Sequence, residues 1–140
     1  MEKFYLNRIL SEELYNAGNY VPKHCYDNVF NNIGSVGFRL KEEDIKVMFC
    51  YVSVRNLEGI YTRHACFCLD GMAIDPTIIS VYKDEIEDYN ISYIPIRVIS
   101  VNEYFILLSR EHRIDLFKTF SEIERMKHKE LRDNGITLIG

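Results

Sequence analysis

Residues 61–78 read YTRHACFCLDGMAIDPTI, and the pattern of this stretch decides the architecture. Residues 61–69 favour a pleated strand, and Asp70-Gly71 is the strongest short hairpin signal in the chain. Residues 72–78 return as the partner strand. With Asp70 and Gly71 as the two central turn residues, Leu69 faces Met72, Cys66 faces Asp75 and His64 faces Thr77. Opposed residues share a face, as do residues two apart on one strand, so His64, Cys66, Asp75 and Thr77 fall on a single face. Phe67, Leu69, Met72 and Ile74 make the opposite, core-facing side. His64 and Asp75 are then diagonal neighbours, roughly 7 Å apart at the backbone and within reach of an imidazole–carboxylate hydrogen bond.

On either side of the hairpin the chain alternates between strand and helix signals. Upstream, residues 45–54 form the run IKVMFCYVSV, rich in β-branched and aromatic residues with little polar alternation, as in a strand covered on both faces. A turn at 56–59 links it to the hairpin. Further upstream, Cys25, Val29 and Ile33 repeat every four residues up to Gly34, which predicts a short helix with a cysteine at its start. A loop containing Pro22 precedes it. Residues 2–16 carry Phe4, Leu6, Ile9, Leu10 and Leu14 at helical spacings and predict an opening helix closed by a left-handed Gly18. Downstream, residues 92–99 predict a strand in which Pro95 requires an edge or a bulge. Ser100 and Glu103 resemble a capping box, followed by helix to Asp133-Asn134-Gly135 with a break near Arg110. Leu116, Phe120, Ile123 and Met126 are its expected buried stripe. Strands bracketed by helices at both ends predict an α+β fold, an antiparallel sheet packed with N-terminal and C-terminal helices.

The chain has 140 residues and 47% hydrophobic content, which suits one domain spanning 1–140 with one sizeable core. Its 17 basic and 21 acidic residues give a formal charge of −4, and no basic stripe with interleaved aromatics is present to hold a phosphate backbone. Nucleic acid is therefore not an expected partner. Polar residues interrupt the first ten positions and no apolar run has transmembrane length, so neither an export signal nor membrane association is expected. Cys25, Cys50, Cys66 and Cys68 are then free thiols in a reducing, cytoplasmic setting.

The paired His64 and Asp75 suggest chemistry. A carboxylate accepting from one imidazole nitrogen fixes the tautomer, so that the other nitrogen can take a proton from a nucleophile. Cys25 is the candidate nucleophile, because a thiol at a helix N-terminus meets unpaired amide donors and the positive end of the helix dipole. Singly, each residue has a structural reading: a core cysteine, a satisfied strand histidine, an Asp-Pro turn. The three together have the chemical order of a catalytic triad.

That order, a cysteine opening a helix (Cys25-Tyr26-Asp27-Asn28) followed by His64-Ala65 and then Asp70-Gly71 and Asp75-Pro76-Thr77, resembles the transglutaminase-like branch of the papain-like cysteine enzymes. The resemblance covers residues 19–77 and implies a papain-like core with Cys25 as nucleophile, His64 as base and Asp75 as its orienter. It implies a thioester formed from a protein or peptide amide and resolved by water or an amine, as in a peptidase, amidase, glutamine deamidase or transamidase, without a cofactor. Asn19, six residues before Cys25, is the candidate oxyanion-hole side chain, with Tyr20 and Tyr26 near the substrate. Cys66 departs from the tryptophan that often follows His-Ala in the family and alters the cleft wall. Two other readings are a non-catalytic binding module (inhibitor or adaptor) on the same scaffold, and a metal site using His64, Cys66 and Cys68 with Asp75 or Cys50. Metal is expected to be absent, because alternate positions along one strand diverge.

Overall fold

The computed structural model describes residues 1–40, 45–54, 59–88 and 90–139, and for residues 87 and 88 the backbone alone. Among these, six strands form one sheet: β1 Phe4–Leu6, β2 Lys46–Ser53, β3 Ile60–Leu69, β4 Met72–Ile74, β5 Ser92–Ser100 and β6 Thr137–Leu138. Five α-helices accompany them: α1 Arg8–Ala17, α2 Cys25–Leu40, α3 Pro76–Tyr82, α4 Val101–Glu111 and α5 Phe117–Asp133. A 3₁₀ segment, Lys83–Asp88, follows α3. The α+β class expected from the pattern is the one found.

The sheet closes on itself. Its order is β2-β5-β1-β4-β3-β6, and β3 pairs back onto β2, so the first five strands make a small barrel. β2 is antiparallel to β3 from Lys46 to Val52 and to β5 from Lys46 to Ser53, and every β2 residue after Lys46 is buried. That is why its sequence shows no polar alternation: helices cover one face and the barrel interior takes the other. The outer face presents Val47, Phe49, Ala65, Phe67, Ile74 and Ile99 to Val29, Ile33 and Val36 of α2, Tyr104 of α4 and Phe120 of α5. The inner face carries Met48, Cys50, Val52, Cys66, Cys68, Ala73 and Tyr93, packed with Ile78 and Ile79 of α3. Each large apolar side chain so buried is worth about 1.5–3 kcal/mol relative to exposure.

The hairpin forms in the expected register, Leu69 opposite Met72, Cys68 opposite Ala73 and Phe67 opposite Ile74. Asp70 and Gly71 have φ of 51° and 75°, the doubly positive pattern of a tight hairpin turn. The return strand, however, stops at Ile74: Asp75 caps α3 and Pro76 opens it, so Thr77 never faces His64 across a ladder. An N-capping Asp followed by Pro at the first helical position is a strong helix start, and it prevails over the strand propensity of residues 77–78. At the turn end of the hairpin Met72 is exposed and Leu69 half-buried, unlike Phe67 and Ile74.

Other expectations are corrected as well. Residues 4–6 are not helical: they fill the gap between β4 and β5, parallel to the first and antiparallel to the second, and Asn7 caps α1 after them. Gly18 is extended, with φ −124°, and glycine is needed there for space: a Cβ would lie 2.6 Å from Tyr20 Cε2 and 2.8 Å from Asn32 Oδ1. α2 runs through Gly34 and Gly37 to Leu40, because its buried stripe continues at Val36 and outweighs a glycine cost of about 1 kcal/mol per position. The break between α4 and α5 falls at His112–Leu116, whose two end residues are both left-handed. Met126 is exposed; the stripe of α5 passes from Phe120 to Leu131, and C-terminal to it β6 adds a strand beside Ile60 and Tyr61 that no sequence signal announced. Pro95 does sit at a bulge, where the β2–β5 register slips between Phe49 and Cys50. Of the turn expected at 56–59, residues 56–58 lie outside the described residues, and Gly59 has φ 77°. No helix among the described residues is long and apolar enough to cross a membrane.

Candidate functional site

The site is assembled around Asp75. This residue ends β4 and caps α3, and it is fully buried. Its Oδ1 accepts from the Ile78 amide at 3.3 Å, as an N-cap carboxylate does. Its own amide donates to Ser11 Oγ at 2.9 Å, and that hydroxyl donates to the Asn7 carbonyl at 2.6 Å, tying α1 to the same point. Oδ2 accepts twice, from His64 Nε2 at 2.7 Å and from the Tyr93 hydroxyl at 2.7 Å. A buried carboxylate needs such donors, since leaving one unpaired costs several kcal/mol.

His64 lies in the middle of β3 opposite Cys50 and is 7% exposed. With Nε2 on Asp75, the ring keeps Nδ1 free of that carboxylate, and the Cys25 side chain is close enough to His64 to raise its pKa. Burial alone pulls the imidazole toward its neutral form. The Asp75 carboxylate, by charge and by hydrogen bond, and then Cys25 outweigh burial and hold the His64 pKa well above its ordinary value. The imidazolium is thereby favoured between two groups able to carry negative charge.

Cys25 is the first residue of α2 and is half-buried with a free thiol. Its helix start is fixed by two asparagines further along the same helix. Asn28 is buried; its Nδ2 donates to the Val21 carbonyl at 2.8 Å and to Thr77 Oγ1 at 3.0 Å, and its Oδ1 accepts from the Val21 amide at 3.0 Å. Asn32 holds the Asn19 main chain likewise, through its Oδ1 at 3.3 Å and its Nδ2 at 3.0 Å. The Asn28–Thr77 bond links the helix carrying Cys25 to the helix capped by Asp75.

The remaining expected residues divide. Asn19 is exposed, and among the described residues nothing joins its side chain to Cys25 or His64. Tyr20 is half-buried beside Gly18, and burial pushes its phenol up to about 12 against the opposing pull of Arg39. Tyr26 stacks on Phe49 with ring centroids 6.2 Å apart, so it packs on the outer face of the barrel. Burial raises its phenol too, opposed by Arg63, whose guanidinium pairs with Glu124 at 2.9 Å. Cys66 is 1% exposed, beneath the histidine inside the barrel, and burial first and then Cys50 and Asp75 keep it a neutral thiol.

His64, Cys66 and Asp75 present donor atoms within 4.8 Å of one another. The arrangement does not suit zinc. Two ligands of a tetrahedral zinc stand roughly 3.3 Å apart, given bonds of about 2.0–2.1 Å. His64 and Asp75 are instead in direct hydrogen-bond contact at 2.7 Å, closer than two ligands of one ion stand.

Tyr93, Ser11 and Asn28 were not anticipated from the sequence. Tyr93 carried a weak signal, a polar-tipped aromatic in a mostly apolar strand; Ser11 and Asn28 carried none, because Asp75 and Thr77 are distant from them in sequence. An open groove of about 1150 Å³ lies elsewhere, lined by Tyr5, Ser53, Tyr61, Ser92 and Asn134, and includes none of Cys25, His64 and Asp75. Compared with models of protein families, with curated proteins and with solved structures, the chain matches none.

Proposed function

We propose that this protein is a cysteine-dependent acyl-transfer enzyme of transglutaminase-like, papain-like type, acting on a protein or peptide amide. The observation that carries this reading is the His64 ring, bound through Nε2 to a buried carboxylate at 2.7 Å, with the Cys25 side chain near enough to help hold its pKa up. An imidazolium next to a thiol at a helix N-terminus favours the thiolate.

In the proposed reaction the Cys25 thiolate attacks the amide carbonyl, and negative charge develops on the carbonyl oxygen. The backbone amide of Cys25, in the first turn of α2, is a donor for that oxygen. Collapse breaks the carbon–nitrogen bond; the amine leaves with the proton held on His64 Nδ1, and Cys25 remains as a thioester. Water or an amine then adds to the thioester, giving its proton to His64, and the thiolate departs. Asp75 holds the ring in the tautomer that presents Nδ1 to the thiol throughout.

The test is alkylation of Cys25 by iodoacetamide at pH 6, followed by mass spectrometry in the wild type and in His64→Ala. The expected outcome is labelling at least about tenfold faster than in the variant, the gain in thiolate fraction from a thiol pKa lowered by about one unit. Equal, slow labelling in the two proteins would refute the catalytic reading.

A further inference from the structure

Three elements converge on one carboxylate oxygen, and one of them has no part in the triad. Tyr93 comes from β5, is fully buried, and donates its hydroxyl to Asp75 Oδ2 at 2.7 Å, the oxygen that also accepts from His64 Nε2 at 2.7 Å. Its ring lies 6.2 Å from the His64 ring, centroid to centroid, so a single oxygen bridges two aromatic side chains across the barrel interior. α2, β2 and β3 supply Cys25, Cys50 and Cys66 as the other titratable groups near the pair.

We propose that Tyr93 is a positioning residue for the acyl-transfer reaction, acting through Asp75: its hydroxyl takes up part of the charge on Oδ2 and so keeps the shared proton on His64 Nε2. The inference rests on the function proposed above and extends it. Oδ1 is already held by the Ile78 amide, so the carboxylate keeps its place without Tyr93; what the phenol controls is how strongly Oδ2 attracts a proton. A donor to a carboxylate stabilises the state in which His64 is neutral and Asp75 ionised more than the state in which the pair has gained a proton. Loss of the donor therefore raises the proton affinity of the pair. Burial and the adjacent carboxylate both keep the phenol protonated, so it remains a donor throughout the working pH range.

The experiment is a ¹⁵N titration of the His64 ring in the intact protein, in the wild type and in Tyr93→Phe, with the alkylation assay of Cys25 run beside it on both and on His64→Ala. In Tyr93→Phe the His64 midpoint is expected to rise by about one pH unit, the size of one hydrogen bond to a charged group. A second variant carries 3,5-difluorotyrosine at position 93; it keeps the ring and the hydroxyl but donates more strongly, and its midpoint is expected to move down. Opposite shifts in two variants of nearly the same shape cannot come from altered packing. Midpoints that stay with the wild type in both variants, while Cys25 labelling still depends on His64, would overturn the role of Tyr93 and leave the proposed function standing. Labelling of Cys25 that is independent of His64 would overturn both.

Discussion

His64 and Asp75 link the site to the stability of the fold. Because the folded protein holds the His64 pKa well above the ordinary value of 6.5, the bound proton stabilises the native state. That contribution is present in full below the unfolded pKa and disappears as pH rises through the folded one, at about 1.4 kcal/mol per unit of separation. Denaturant midpoints are accordingly expected to fall from near pH 6.5 upward in the wild type, and to stay flat over that window in His64→Gln, which titrates nothing at this site. A wild-type curve parallel to that of His64→Gln would show that the imidazole is not held charged. The sequence already brought these two residues together, because a two-residue turn leaves only one register in which the apolar side chains of the hairpin face the core. It could not reveal Tyr93, which reaches the same oxygen from a strand 18 positions away.

At the level of elements, the segment before α2 owes its shape to side chains that lie after it. Asn28 and Asn32 hold the main chain of Val21 and Asn19, and Gly18 gives them room. Gly18→Ala places a methyl group against Tyr20 and Asn32 and is expected to cost about 1–3 kcal/mol, as overpacking does, measurable as a drop in Tm. Since Asn32 positions the loop before Cys25, the same variant should also slow alkylation of that thiol. A stable Gly18→Ala protein with wild-type labelling would remove the loop from the account of the site. Helices were legible wherever capping and apolar spacing agreed, as at Ser100, whose hydroxyl accepts from the Glu103 amide at 3.1 Å. They were misread where two signals competed: residues 4–6 fit a helical spacing but meet two strands with unpaired backbone groups, and hydrogen bonding decided for β1.

For the whole molecule, closure of the barrel makes β2 its most protected part. It is paired on both sides and buried on both faces, whereas β1 has three residues and β6 two. Native-state hydrogen exchange is expected to be slowest for amides of residues 47–52, at the free energy of global unfolding, and fastest in β6, which opens locally. Equal protection across β2 and β6 would contradict a hierarchy built on closure. The chemical order of cysteine, histidine and aspartate, the Asp70-Gly71 turn with its register, the doubly covered β2 and the α+β class all follow from local sequence, because propensity, periodicity and turn geometry act over a few residues. Closure of β3 onto β2, insertion of β1 between β4 and β5, the approach of Cys25 to His64 and the Tyr93 hydroxyl on Asp75 join residues 10 to nearly 90 positions apart. Those contacts depend on which surfaces exclude water together once the chain has collapsed, and only the tertiary structure decides that.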